Sequence, residues 1–363
     1  MTLEVELSGD DEPRAVRALA YPELVGEPAV GDRVLVNVTA LLRNLGTGGY
    51  ALVIALPDAL PPDPRAPRPP AGPGHVVKAR YTPLQAMGLG VDEEESPWHD
   101  ALREADDLAG LPVVVADLHS ALPAIVAGMR HEAARVGGAV PRVAYVMTDG
   151  AALPAWFSRT VAELRGADWL AATITAGQAF GGDYEAVNLH TALLAAHHVV
   201  GADAVIVCQG PGNLGTGTTW GFTGVATGEA INAVAALGGR GVASLRVSQA
   251  DPRPRHRGVS HHSLTAYRRV ALRSADVVVP HAGGEAFWDG VADQAAELAA
   301  PHGPHRLVTV GLQGLREALE GCPVRLSTMG RGLDDDPAAF LAVAAAGVHA
   351  HRLAIERSGG PAA

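Results

Sequence analysis

Three stretches of this 363-residue chain hold residue types that can do chemistry. The first, residues 205–224, reads VIVCQGPGNLGTGTTWGFTG: an apolar run ending at Cys208, then a loop with Gly210, Gly212, Gly215, Gly217, Gly221 and Gly224, and Gly228 one turn later. Lacking a Cβ, such a loop lets backbone N–H groups approach a ligand, and between a parallel strand and a helix it is a common anion cradle. Gly210, Gly212, Gly215, Thr216, Gly217 and Thr218 are therefore candidate contacts to a phosphate or another anion. The second stretch, residues 246–262, reads RVSQADPRPRHRGVSHH and sets four arginines and three histidines against one aspartate. Guanidinium forks match phosphate and carboxylate geometry, which adds Arg255, His256 and Arg257 to the ligand-binding set. Ser260 suits a helix N-cap, placing His261 and His262 in the first turn, where the helix dipole disfavours an imidazolium. Neutral imidazole there could be a general base, a hydrogen-bond donor or a metal ligand. Neighbouring helical residues diverge by about 100°, so one of this pair, not both, is expected to face the site.

The third set is scattered. Asp117 and His119 lie two apart at a strand end and so on one face, and with Asp183 they could supply ligands to a divalent metal. Asp149 follows the next strand and, like Asp117, could orient substrate or metal beside a histidine acid/base. Plainer readings stand beside these. The basic run could be a solvated surface loop, Asp183 a helix cap, and the glycine loop purely structural. His190 and His197 share a helical stripe with apolar neighbours and read first as packing residues, with His190 kept as a candidate; Cys208 reads as a core thiol.

Several reactions lose support from what the chain lacks. Lys78 is the sole lysine, so the glycine loop is not a lysine-bearing phosphate loop and a lysine Schiff base is disfavoured. Gly210, Gly212 and Gly215 satisfy GxGxxG, but further glycines postpone the helix and no acidic residue follows about 20 positions on. No GxSxG elbow is present. Hydrolysis or group transfer is favoured over hydride transfer.

The elements that must position these residues fall into two parts. Residues 1–90 show short β-branched runs, including 31–40 and 49–56 and a last strand at 76–81, with a proline-dense loop at 57–74; a small β-barrel-like domain is expected. The acidic run at 91–100 is expected to be a hinge. From residue 101 to 363, apolar runs at 112–116, 143–147, 171–175, 204–208, 242–247, 276–280, 307–310 and 324–326 alternate with helical segments at 121–135, 185–200, 226–237, 263–273 and 337–357. Continuous rather than alternating apolar runs suit strands buried on both faces, so the main domain is expected to be α/β with a layered, mostly parallel sheet. In such sheets ligands bind beyond the carboxyl ends of the strands, where most of these residues fall.

The net charge of −11 disfavours a general nucleic-acid or anionic-membrane surface, and no uninterrupted apolar run reaches a membrane span of about 20 residues. The acidic N-terminus and two cysteines point to a cytoplasmic protein; a homodimer is the base-rate expectation.

The strings MTDGAALP (147–154), AFGGDYEAVN (179–188), GPGNLGTGTTWGFTG (210–224) and RHRGVSHHSLTA (255–266) resemble the bacterial domain-of-unknown-function family 3866, over nearly the whole chain. The resemblance brings no activity, cofactor or catalytic residue. The residues themselves suggest a protein binding a small anionic, phosphorylated metabolite or nucleotide, with the glycine loop and Arg255 and Arg257 on the anion, His261 or His262 as acid/base, and Asp149 or Asp117 orienting. Two alternatives share the cleft: a non-catalytic sensor reporting through the N-terminal β part, and a metal-dependent hydrolase using Asp117, His119 and Asp183.

Overall fold

The computed structural model describes residues 1–8, 14–44, 48–59 and 74–359. They divide into two compact units, one formed by residues 1–73 and 77–88, the other by 74–76 and 89–363. In the smaller unit β1 (Thr2–Leu7), β2 (Arg14–Leu19), β3 (Leu35–Asn37) and β4 (Ala51–Ala55) form one sheet in the order β1-β2-β4-β3, with short helices α1 (Pro22–Val25) and α2 (Thr39–Leu42). The β1–β2 and β3–β4 pairs are antiparallel and β2–β4 is parallel. Ala18, Ala20, Ala51 and Val53 make its small core. No β1–β3 pairing closes this sheet into a barrel among the described residues. Strand β5 (Val76–Lys78) pairs with β6 (Ala86–Gly88), and it ends earlier than its sequence suggests because Ala79 and Tyr81 take positive φ. Most of the proline-dense loop lies outside the described residues.

The larger unit is the expected α/β layered domain. After a one-turn helix α3 (His99–Leu102) come β7 (Pro112–Val115), α4 (Leu122–Arg135), β8 (Val143–Thr148), α5 (Arg159–Gly166), β9 (Ala172–Ala176), β10 (Tyr184–Ala186), α6 (Leu189–His198), β11 (Ala204–Gln209), α7 (Ala226–Ala236) and β12 (Arg240–Ala243). The two-residue strands β13 (Val247–Ser248) and β14 (Gly258–Val259) pair antiparallel and lead into α8 (His261–Thr265), continued by one π turn to Val270. The chain ends with β15 (Asp276–His281), α9 (Ala286–Ala295), β16 (Arg306–Gly311), α10 (Leu315–Glu320), the minor pair β17 (Ser327–Thr328) and β18 (Arg331–Gly332), and α11 (Pro337–Arg357). Eight strands form one sheet in the order β10-β9-β8-β11-β7-β12-β15-β16, and every pairing is parallel.

Two departures from the sequence pattern matter. The segment 324–326 is no strand; Val324 and Leu326 are buried as core residues of a loop. Conversely, Tyr184–Ala186 is not the start of a helix but an edge strand, and Asn188, whose side chain accepts from Thr191 N–H, caps the helix after it. The acidic run Asp92–Ser96 folds as turns of the larger unit, with the Glu93 carboxylate accepting from Gly90 and His75 N–H.

Helices cover both faces. One face packs α4, α5, α10 and α11, the other α6, α7 and α9. Helix α11 is long and apolar enough to cross a membrane by length and composition, and 78% of that apolar stretch is buried inside the protein. It crosses α4 with almost no space between them: a Cβ on Gly128 would enter the Ala344 carbonyl, and one on Gly347 the Ile125 carbonyl. The sheet order sets where the crevice lies. β7 continues into α4 on one face, while its neighbour β11 continues into α7 on the other. At such a reversal the loops diverge and leave an opening above the strand ends.

Candidate functional site

Asp117, two residues beyond β7, occupies that opening. Its side chain is 5% exposed, and three groups converge on it. The Oδ2 atom lies 3.2 Å from both Arg246 Nη1 and His262 Nδ1, while Oδ1 accepts from Asn213 Nδ2 at 3.2 Å. Burial pushes this carboxyl up, but the hydrogen bond from His262 and the charge of Arg246 outweigh it and hold the group below its usual range, hence ionised. The β13–β14 hairpin explains how Arg246 arrives: it returns the chain so that Ser260 N–H bonds the Arg246 carbonyl and Arg246 N–H bonds Ser263 Oγ.

Part of the glycine loop folds on itself. Gly215 bridges Phe222 in a small hairpin, and the N–H groups of Leu214, Thr216, Gly221, Phe222 and Thr223 are all hydrogen-bonded within the loop. Thr216 and Thr218 bond each other and are exposed, and Gly217 lies beside the Arg255 guanidinium. What the hairpin delivers to the centre is Phe222, Asn213 and Gly224. Phe222 stacks on the His262 ring, centroids 3.8 Å apart and 4° from parallel. A Cβ on Gly224 would fall inside the Asp117 carboxylate, and one on Gly210 would sit 2.5 Å from the Ala152 carbonyl. Those two glycines permit close packing, whereas Gly212 and Gly217 are needed for positive φ.

Ser260 caps α8 by accepting from His262 N–H. Adjacent positions on the helix do not keep the two rings apart. His256, His261 and His262 each present a ring nitrogen within 4.8 Å of the others, the only such histidine, cysteine or acidic constellation among the described residues. Cα positions on a helix diverge, but two imidazoles at its first turn can tilt together, and the 254–256 turn folds His256 back against them. Burial, with Arg246 and other positive neighbours, lowers His256 to about 3; burial and the adjacent His262 lower His261 to about 4. Both are neutral near neutrality.

The trio Asp117, His119 and Asp183 does not form such a constellation. His119 turns away, with Nδ1 3.1 Å from Tyr145 Oη and Nε2 2.7 Å from Ser158 Oγ. Asp183 accepts from Thr173 N–H and pairs with Arg165 beside the sheet edge. Asp149 is exposed and accepts from Gln178 N–H. Arg257 donates to the Asp251 carbonyl. Burial pushes the Cys208 thiol up to about 12, in keeping with a core residue.

A cavity of about 310 Å³ lies above β7, β8 and β11. Its wall includes Asp117, Asp149, His190, Gln209, Thr227 and the first residues of α6 and α7. Gln209 Nε2 donates to the Asp117 carbonyl, leaving its buried Oε1 without a partner in the protein. Sequence reasoning missed Arg246, Gln209, Asn213 and Phe222. Arg246 was visible at the head of the basic run, whereas an asparagine and a phenylalanine in a glycine loop carry no signal of their own.

An open, eight-stranded parallel sheet with a buried ionised aspartate at its chain reversal defines the class: an α/β protein with a cleft at the carboxyl edge. Residues 17–347 match the family described as a protein of unknown function, domain-of-unknown-function family 3866, and the chain belongs to it. No curated protein matches the sequence.

Proposed function

We propose that this protein is an enzyme acting by hydrolysis or group transfer on a small metabolite that carries both hydroxyl or amine donors and an anionic group, such as a nucleotide or phosphosugar. The observation that carries the reading is the buried Asp117–His262 pair, 3.2 Å apart, at the sheet reversal. A carboxylate on Nδ1 fixes the ring and leaves Nε2 to exchange a proton with substrate, which is how an oriented histidine serves as general base. The 310 Å³ cavity has the volume of a small-ligand site, and of the pair Asp117 lines its wall while His262 does not, so substrate must reach the ring past Asp117. Asp149, Glu229 and Gln209 Oε1 offer acceptors for ligand donors there. The N-termini of α6 and α7 favour the anionic end, and Arg255 adds positive charge beside the loop.

A thermal-shift series with nucleotides, phosphosugars and inorganic phosphate tests this. A ligand at a hundred times its Kd should stabilise the protein by about 2.7 kcal/mol. Turnover of that ligand should fall at least about 100-fold in His262→Gln. Silence across the series, or full turnover in that variant, sinks the assignment.

A further inference from the structure

We propose that His256, His261 and His262 form a binding site for a divalent first-row transition metal, zinc being the type ion. The argument begins with what each ring nitrogen already does. His256 Nδ1 is 2.7 Å from Ser260 Oγ, and His262 Nδ1 is 3.2 Å from Asp117 Oδ2 and 3.1 Å from Arg246 Nη1. Their Nε2 atoms are left over. His261 Nε2 is buried and has no partner in the protein. A buried polar atom without a partner carries a desolvation penalty, and His261 belongs to a set of three histidines with one ring nitrogen each within 4.8 Å of the others, an arrangement a bound ion would relieve.

The surroundings are those of a metal centre. Metal-bound histidines usually donate their second ring nitrogen to a carboxylate, hydroxyl or carbonyl that fixes the tautomer, and here a carboxylate holds one ring and a serine another. Phe222 stacked on His262 restricts its rotation. Three imidazoles with no thiolate nearby match sites in which zinc keeps its remaining position for water or substrate. The local positive charge does not forbid a cation, because Arg246 is paired with Asp117 and Arg253 with Asp251, while Arg255 is exposed to solvent. An ion here would occupy His262 Nε2, so the metal-loaded form and a form in which that nitrogen acts as general base exclude each other, and a metal titration separates them from the anion screen.

The test uses the full chain, stripped with a chelator and titrated with zinc(II) and then cobalt(II). One equivalent should bind, and cobalt should show the visible bands of a tetrahedral, nitrogen-rich site without thiolate charge transfer. His261→Gln, whose ring is partly exposed, should fold normally by circular dichroism and lose the equivalent. Asp117→Asn should weaken affinity about 10- to 100-fold through the ring it holds. His197→Gln/His198→Gln, at the far end of α6, should bind like the wild type. No uptake by wild-type protein at micromolar free metal, or equal binding by His261→Gln, overturns the proposal. Because the readout is spectroscopic, a failed anion screen and a failed metal titration are separate results.

Discussion

Single atoms decide the character of this centre. Gly224 is the clearest case, since any side chain there would displace the Asp117 carboxylate. Gly224→Ala should therefore lower stability by about 1–3 kcal/mol in urea melts, the range for overpacking a filled site. It should also abolish ligand-dependent stabilisation, whereas Gly212→Ala, with open space around it, should cost stability through positive φ alone. His119 supplies a second prediction. Burial, partly opposed by a hydrogen bond to the Gln209 backbone, lowers it to about 4 from the ordinary value near 6.5. Between those values the unfolded chain binds a proton that the native ring refuses, so stability should fall as pH drops through this window, by on the order of 3 kcal/mol. His256 and His261 are lowered into the same range, so His119→Gln should remove only its own part of the slope; an unchanged slope would show that His119 does not contribute. None of this could be read from Asp117-x-His119 as a sequence motif, because the chain leaves β7 after Val115 and the two side chains part company.

At the scale of elements, continuous apolar runs made the sheet legible. Stretches such as Ala204–Gln209 and Asp276–His281 are buried nearly throughout and carry no alternation that would suggest a half-solvated strand. Tyr184–Ala186 escaped notice because three residues carry no period. Val324 and Leu326 misled in the opposite sense, since a loop residue can fill a core as well as a strand residue can. The α4–α11 crossing was equally hidden: in an alanine-rich helix Gly347 looks like one more small residue. Its contact with the Ile125 carbonyl makes Gly347→Val a strongly disruptive change, expected to cost about 3 kcal/mol or more by chemical denaturation. Near-neutral behaviour of that variant would mean the two helices can separate without loss.

Across the whole molecule, what was readable was the layering and the edge on which chemistry gathers; what was not was the strand order, which depends on pairings between distant segments. Arg246 and Asp117 show why this matters for the site. They meet only because β12 lies next to β7 in the sheet, while the intervening strands β8, β9, β10 and β11 build the other wing. The central position of β7 has a consequence in time. Val113 pairs with Val205 on one side and Gly241 on the other, so this wholly apolar strand emerges from the ribosome long before either partner exists. At roughly 5–20 residues per second, that interval is on the order of ten seconds. During it the first half of the large unit can gather only a partial sheet with an exposed, sticky edge. Refolding should be slow compared with proteins of local topology, and the centre on which Asp117 depends is completed late, when the second wing closes against the first.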